Sequence, residues 1–436
     1  MRQSGFGHTG ARARRIGIVL AGIFLAAAGG TGTARSQESA WVPELPLTRD
    51  CGSSARAIGM GGAYLAISDD AAALRYNPAG LARVQRIELS GTLTDRSRDI
   101  ETAYYGSPLD SRFSRTRISS LGIVYPFPTY RGSLVAALGY ADPWPFDLEY
   151  ARAGSAGAGA TPLQEQILEE NGLGEWSFGL AVDASPTLSL GFRASWLHGD
   201  RFQDWVFRDA NHSIHEVIDV TLDGFTASFG ALNHVGAAHL GLTVDLPRWI
   251  FIKGDDRDAV ADITYAVDEK MTMPFSVGLG TAVPLRGLLL AGDARFTDWT
   301  QIDYYGPLRY ADPASGLRRF AYERTWDLHL GAEYLLDFVH AAGVRVRAGW
   351  AAEPIPYRVL LEEVDLTPEG AEVPIYRPVS FDPQRSTWSV GVGVLAGESL
   401  TIDAAFTSGS WKRTGLHLSE KETERRVLIS AAFRLE

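Results

Sequence analysis

The chain has 436 residues, of which 45% are hydrophobic, and its net charge of −11 excludes the basic face that binding to nucleic-acid phosphates requires. No internal stretch reaches the roughly 18 uninterrupted apolar residues of a transmembrane helix, so a membrane location has to rest on strands. The single cysteine, Cys51, excludes an intramolecular disulfide and a cysteine-based zinc cluster.

The N-terminus has the pattern of an export signal. Several arginines precede the apolar stretch 16–28, and the small-residue sequence Ala34-Arg35-Ser36 predicts cleavage before Gln37. The alternative is an uncleaved anchor, but the apolar stretch is too short to span a bilayer comfortably. We therefore predict a signal peptide at residues 1–36 and a mature chain outside the cytoplasm.

The next segment, residues 37–84, does not alternate and is rich in Ala and Gly. Small residues suit a segment packed inside a narrow lumen, so we predict a hatch, or plug, here. A short helix is predicted over residues 70–76, with Asp69 or Asp70 as its N-cap. The alternative reading of these two residues is a catalytic carboxylate pair, which the capping role makes unnecessary.

The end of the predicted hatch contains turn-forming residues. Asn77 can bond nearby backbone, Pro78 fixes φ, and Gly80 adopts conformations that other residues avoid. We expect these three residues to fix a turn that packs the hatch against the wall.

From about residue 85 onward the apolar residues recur with a period of two. Trp176, Phe178, Leu180 and Val182, for example, alternate with small or charged residues. Because successive side chains of a strand point to opposite faces, each such segment has one apolar face. The pattern predicts fourteen strands in the barrel domain 85–436, near 85–95, 118–126, 132–141, 175–185, 187–200, 217–235, 237–245, 272–283, 287–303, 325–337, 343–353, 387–396, 400–409 and 426–435.

The predicted connections alternate strictly between long and tight. Outer-membrane barrels have long extracellular loops and short periplasmic turns, so this parity assigns the two sides. It also favours a closed 14-stranded antiparallel transmembrane β-barrel over the alternative, a soluble sandwich, because lipid tolerates no unpaired sheet edge. Within the second long connection, a capping box at residues 161–164 predicts a short helix ending near Gly172.

The hatch sequence GMGGAYLAISDDAAALRYNPAGLA resembles that of the outer-membrane long-chain fatty-acid transport family (FadL-like), which includes uptake proteins for aromatic hydrocarbons. Two barrel segments, 291–299 and 347–350, are also similar to that family. The resemblance covers the whole mature chain in layout. It implies a monomeric barrel, blocked by its hatch, through which a hydrophobic ligand diffuses and leaves by a gap in the wall or past the hatch.

Two further features bear on this assignment. The last residue is Glu436, whereas barrel chains commonly end on an aromatic residue. The same hatch pattern also occurs in PorV-like barrels, which serve protein secretion, so a secretion or structural component is the alternative function.

Candidate ligand-binding residues come from two groups. The alternation points several charged residues inward, and arginines suit a ligand carboxylate because they bind it bidentately. The alternative is a mixed-charge lumen whose members pair with each other and with the hatch. Apolar residues in the third and fourth external loops, 201–216 and 246–271, form the second group, and their alternative role is in strand extensions that pack together. The candidates are Arg193, Arg295, Arg345, Arg347, Trp205, Phe207, Trp249 and Phe251.

No motif of a catalytic, cofactor or metal site stands out. Gly59-x-Gly61-Gly62 follows no strand, and His212 and His215 have no further ligand nearby. An outer-membrane enzyme is therefore the weakest hypothesis. We expect no cofactor, no metal and no nucleic acid. The expected partners are a fatty acid or hydrocarbon, membrane lipid and the outer-membrane barrel assembly machinery.

Overall fold

The computed structural model describes most of the chain. The described residues are 52–155, 163–208, 213–304, 320–336, 342–366, 372–378, 380–381, 385–397, 399–415 and 418–435. The predicted signal peptide and its cleavage site lie outside these residues.

Fourteen antiparallel strands of the described residues form the wall, as the sequence predicts. They are β1 (Ile87–Tyr104), β2 (Ser107–Phe127), β3 (Leu134–Pro145 and Leu148–Gly154), β4 (Leu163–Asp183), β5 (Leu188–Arg208), β6 (Ser213–Val235), β7 (Ala238–Asp245 and Arg248–Asp258), β8 (Ile263–Met273 and Ser276–Leu285), β9 (Leu288–Asp298), β10 (Arg324–Leu336), β11 (Ala342–Glu353), β12 (Arg385–Ala396), β13 (Leu400–Thr414) and β14 (Leu418–Leu435). Short strands outside this set are Asp303–Tyr304, Phe320–Tyr322, Tyr357–Leu366, Glu372–Pro378 and Ser380–Phe381.

The ring closes between the first and last wall strands. Strand β1 pairs with β2 on one side and with β14 on the other, from Ile87 opposite Leu435 to Tyr104 opposite Leu418. Closure joins the two end strands of the sheet, which is the condition for strands to cross a bilayer. The prediction of a closed 14-stranded barrel is thus confirmed.

The strands run further outward than the sequence pattern indicates. Strand β5 continues to Arg208 and β6 begins at Ser213, so most of the predicted loop 201–216 is strand. The predicted loop 246–271 is likewise mostly strand. The short helix predicted over 161–172 is wrong in its described part, since β4 starts at Leu163 and pairs there with β3 and β5. Pairing on both sides outweighs the local capping signal.

Aromatic residues form a girdle on the outer surface of the wall. Trp176 lies opposite Trp196, Trp350 opposite Trp388, and Phe296 opposite Trp326. The girdle residues Trp176, Trp196, Trp326 and Trp388 are each at least half exposed. Aromatic residues concentrate at this height because they prefer the interface between lipid and water.

Below the girdle the outward residues are apolar as far as the short turns. On β10, exposed residues run from Trp326 through Leu328 and Leu330 to Tyr334. Eight residues at about 3.3 Å each, on a strand tilted by about 40°, span roughly 20 Å, close to the apolar height of about 25 Å in membrane barrels.

No helix in the described part of the chain has the length and apolar character needed to cross a membrane.

The N-terminal segment, residues 52–84, contains two short helices and a 3-10 helix: α1 (Ala55–Gly59), α2 (Ala73–Tyr76) and Pro78–Arg83. The predicted helix over 70–76 is therefore confined to its last four residues. The segment bonds to inward side chains from many strands. Ser430 of β14, Ser389 of β12, Asp293 of β9 and Glu88 of β1 all accept hydrogen bonds from its backbone N–H groups. These partners surround the segment, so it lies inside the ring.

Wall glycines allow the segment to lie directly against the sheet. A Cβ on Gly349 would come within 2.1 Å of the Gly61 nitrogen, and one on Gly191 within 2.2 Å of the Ala79 nitrogen. Real side chains do not tolerate such contacts, so these positions fix how closely the segment approaches the wall.

We predict that Gly349→Val undocks the N-terminal segment without unfolding the barrel. Overpacking of this kind costs roughly 1–3 kcal/mol, enough to raise leakage of small sugars from proteoliposomes about tenfold. Gly343→Val is the matched control, because its nearest neighbours would lie at 3.8 and 3.9 Å. Equal leakage through the two variants would contradict a blocking role for the segment.

Candidate functional site: a lumenal cavity above the N-terminal segment

A cavity in the lumen is open to solvent and contains about 1260 Å³ of space between the protein atoms. Its floor is the N-terminal segment, through Gly61, Gly62, Leu65 and Tyr76. Its sides come mainly from β7 to β14, and Trp144 of β3 contributes from the opposite wall. The wall residues that line it are Trp144, Arg248, Ser276, Asp293, Arg295, Thr297, Trp299, Thr325, Asp327, His329, Ala351, Glu353, Pro354, Thr387, Ser389, Thr407 and Arg426.

A cluster of buried apolar side chains lies on the inner wall at and above the girdle. We call it the outer apolar cluster. Trp144 and Trp299 belong both to it and to the cavity lining. Its members are Trp144, Phe146, Leu173, Leu197, Val220, Leu222, Ile250, Ile252, Met271, Met273, Trp299 and Ile302. An apolar surface therefore leads from the outer part of the lumen to the cavity.

The outer apolar cluster exists because three strands, β3, β7 and β8, change phase at this height, and in β3 the change falls between Ala141 and Trp144. In β7 the inward residues are odd-numbered up to Asp245 and even-numbered from Arg248 onward, on either side of the interruption. Strand β8 changes phase in the same way between Met273 and Ser276. A slip of one residue exchanges the two faces of a strand. The interruptions thus place Arg248, Ile250 and Ile252 inside.

Arg248 is a buried cation for which no ion pair is found among the described residues. Its side chain lines the cavity at 9% exposure, and its guanidinium lies 5.1 Å from the ring centre of Trp144. Among the described residues the structure shows no hydrogen bond or ion pair of Arg248. Arg75 of α2 lies over the same indole at 5.5 Å. A guanidinium beside an apolar wall suits the carboxylate of an amphipathic ligand.

Most of the predicted arginines form ion pairs with other lumenal residues, which is the alternative role that the sequence analysis gives them. Arg193 donates to the Leu74 carbonyl at 3.0 Å and lies 3.3 Å from both Glu175 and Asp245. Arg347 bonds Glu333 and Asp403 at 2.6 Å each.

The remaining two predicted arginines differ from each other. Arg295 lines the cavity but holds Asp245 at 2.6 Å. Arg345 is about one-third exposed and lies 3.8 Å from Glu333. The structure brings none of the four to the cavity as an uncommitted cation.

The predicted apolar residues lie on strands and divide between the two faces. Trp205 and Phe207 are buried at 4% exposure in a second inner cluster, where Trp205 Nε1 donates to Glu165 at 2.8 Å. Trp249 packs against the exposed Phe225, and Phe251 is 39% exposed, so both belong to the outer surface. Their placement in external loops is wrong, because the strands continue through these positions and alternation decides each face. Trp205 and Phe207 lie on extended strands and pack together, as the alternative role predicts.

The predicted hatch residues hold the N-terminal segment together. The Asn77 amide donates to the Leu65 carbonyl at 2.8 Å and to the Ala231 carbonyl of β6 at 3.2 Å. Asp69 pairs with Arg56 at 2.5 Å, and Asp70 accepts from the Tyr64 hydroxyl at 2.7 Å.

The other two hatch residues act through close packing. Pro78 begins the 3-10 helix and lies against Gly191 of β5. A Cβ on Gly80 would come within 2.0 Å of the Ser68 carbonyl oxygen. Only glycine fits such a contact.

The wall has a gap between β2 and β3. Pairing of these strands ends at Ser120 opposite Ala141, and in the described stretch 107–155 the outer half of β2 pairs only with β1. Ion pairs cross the gap: Asp147 holds Arg117 at 2.6 Å and Arg115 at 3.2 Å. A cavity of about 410 Å³ behind it shares Gly52 and Arg426 with the large cavity.

Acidic side chains meet on the inner face of the outer rim, beyond the girdle. Glu216 lies opposite Asp258, with Asp256 nearby. Burial, together with the neighbouring Asp256 and Asp258 carboxylates, raises the pKa of Glu216 to about 7. In the described part of the chain no group of His, Cys, Asp and Glu has the arrangement of a metal site.

Comparisons with known proteins relate the chain to solved transporters by fold. A FadL homologue from Pseudomonas aeruginosa is similar at a TM-score of 0.62 with 14% identity, covering 89% of this chain and 99% of that one. The toluene transporter TodX of P. putida is similar at 0.57 and 13%, covering 89% and 99%. The toluene transporter TbuX of Ralstonia pickettii is similar at 0.54 and 12%, covering 88% and 99%. The chain has the fold of these transporters. No family model matches it, and a search of curated proteins found no match.

We predict that the outer rim loosens as the pH rises from about 4.5 to 7. Folding raises the pKa of Glu216 from its ordinary value of 4.5 to about 7, so its contribution to the stability of the rim is fully present below the ordinary value and is lost as the pH rises through about 7. Hydrogen exchange at the outer ends of β6 and β7 should therefore quicken over this range, beyond the intrinsic pH effect. Glu216→Gln should remove the excess, whereas Asp268→Asn, at an 80% exposed side chain, should keep it. A wild-type rim with pH-independent protection would contradict the prediction.

Proposed function

We propose that the chain is an outer-membrane transporter that passes hydrophobic or amphipathic small molecules, of the fatty-acid or hydrocarbon class, down their concentration gradient. The observation that carries this proposal is the outer apolar cluster, which leads to a cavity where the buried Arg248 forms no hydrogen bond or ion pair with the described residues. The fold shared with a FadL homologue and two toluene transporters supports it.

The energetics favour a ligand with a long apolar part. Each buried methylene contributes roughly 0.8 kcal/mol, so an acyl chain laid along the outer apolar cluster binds without strong polar contacts. A carboxylate at its end then meets Arg248, where desolvation strengthens the charge-assisted hydrogen bonds. The cluster therefore supplies affinity, and the arginine supplies orientation.

The domain assignments follow from the same proposal. Residues 1–36 act as the signal peptide, 37–84 as the hatch and 85–436 as the barrel of a monomer in the outer membrane. Membrane lipid and the barrel assembly machinery are its further partners. The alternative of a secretion component gains no support from the named structures, of which one is described as a FadL homologue and two as toluene transporters.

The gap between β2 and β3 is the exit that we propose for the ligand. The two cavities share lining residues and so lie side by side, and the route that we propose runs through them from Arg248 to the wall without a movement of the N-terminal segment. Leaving sideways delivers an apolar molecule to lipid rather than to water.

We predict that Arg248→Gln weakens the binding of stearate to the purified barrel about tenfold or more, because a hydrogen bond to a charged group contributes roughly 1.5–3 kcal/mol. Binding of toluene, which has no carboxylate, should change little. Arg257→Gln is the control, since this side chain is 53% exposed outside the cavity. Wild-type affinity for stearate in the Arg248 variant would show that another group holds the carboxylate, and failure of the wild type to bind either compound would refute the transporter.

A second prediction concerns the exit. In a Cys51→Ser background, Arg115→Cys with Asp147→Cys removes the ion pairs across the gap, and a short bis-thiosulfonate crosslinker then bridges it. Bridging should abolish most fatty-acid uptake by cells while leaving binding intact, and reduction should restore uptake. The unbridged double variant is the control for the lost charges. Undiminished uptake after bridging would favour a route past the hatch.

A further inference from the structure

The cavity is more polar than a hydrocarbon requires. Beside Arg248 and Arg295, the carboxylates of Asp293, Asp327 and Glu353 line it. Enclosing a purely apolar molecule here would take the guanidinium of Arg248 and the carboxylate of Asp327 out of water without giving them a hydrogen-bond partner, which is costly. The lining therefore selects for a ligand that carries polar groups of its own.

Asp327 is the acidic counterpart of Arg248. It lies directly opposite Arg295 on the neighbouring strand, so an ion pair between the two is the expected arrangement. Arg295 turns instead to Asp245, at 2.6 Å. In the part of the chain that the structure describes, Asp327 has no hydrogen bond or ion pair. Its carboxylate thus faces the cavity as an uncommitted acceptor.

Its surroundings do not favour a metal ion. Two side chains near Asp327 could join it as metal ligands, Glu353 and His329, and both have other neighbours. Glu353 lies opposite Arg385, and His329 bonds the Gly61 carbonyl oxygen at 2.8 Å. The carboxylate is therefore available to a hydrogen-bond donor rather than part of a ligand set. A hydroxyl or an ammonium group supplies such a donor.

We propose that the cavity binds an amphiphile with two polar groups, an anionic one held by Arg248 and a hydrogen-bond donor, hydroxyl or ammonium, held by Asp327. This inference rests on the proposed function and names the substrate class within it. Arg248 lies on β7 and Asp327 on β10, three strands away, or about 14 Å along the wall at the usual strand spacing. The two groups of the ligand are therefore separated by much of the length of an acyl chain.

Paired ligands test the inference at pH 7.5 on the purified full-length barrel. Stearate is compared with 12-hydroxystearate, and dodecanoate with 12-aminododecanoate. We expect the hydroxylated acid to bind about tenfold tighter than stearate, since a hydrogen bond to a charged acceptor is gained. For the same reason, 12-aminododecanoate should bind more tightly than dodecanoate. A gain in only one pair identifies the donor that the site takes, and a gain in neither overturns the inference.

Substitution of the acceptor completes the test. Asp327→Leu should abolish the preference for the second polar group and leave stearate binding equal or tighter, because an uncompensated carboxylate is removed. Asp268→Leu, at an exposed outward position, is the matched control and should keep the preference. A preference that survives in Asp327→Leu overturns the assignment.

The design separates the inference from the proposed function. If the wild type binds stearate but shows no preference within either pair, the inference alone fails. If it binds none of the four amphiphiles and no toluene, the proposed function fails with it. Asp327→Asn, which keeps the size and a neutral acceptor, guards against misfolding of the leucine variant. It should lose the gain from the ammonium group and retain part of the gain from the hydroxyl.

Discussion

The structure depends on the requirement that every backbone N–H and C=O group in lipid find a partner within the protein. The pairing of β1 with β14 along their whole length meets this requirement for the two end strands of the sheet, which would otherwise be open. Closure then fixes the outer surface, because alternation places one face of every strand toward lipid. The aromatic girdle and the apolar rows below it follow from that single choice of face.

Closure also creates an interior that has to be filled. The backbone of the N-terminal segment brings its own polar groups into the lumen, and inward side chains satisfy them. Asp293 alone accepts from the N–H groups of Tyr64 and Leu65. Arg193 donates to a helical carbonyl while holding two carboxylates. Most lumenal charges are thus structural, and those left over, above all Arg248 and Asp327, are the ones available to a ligand.

Periodicity predicts the architecture well and the site poorly. The number of strands, their antiparallel order and the closed ring follow from alternation and from the parity of the connections. The face on which a side chain lies after an interruption cannot be predicted from alternation, because one extra residue exchanges the two faces of the strand. Trp249 and Phe251 were expected to meet a ligand, but the inner positions belong to Arg248, Ile250 and Ile252. Pro247 and Pro274, which stand inside otherwise alternating segments, are the sequence signal for these interruptions.

The phase changes in β3, β7 and β8 link the wall to its contents. Below them, these strands have inward glycines against which the N-terminal segment packs closely, as Gly139 of β3, Gly241 of β7 and Gly278 of β8 show. Above them, the inward residues of the same strands are large and apolar. The interruptions therefore separate two parts of the lumen. The part below them contains the N-terminal segment, and the part above them has an apolar lining that suits an apolar molecule. Arg248 is the first inward residue of β7 after its interruption, so the cation stands at the boundary between the two regions, where an amphipathic ligand changes from apolar to polar.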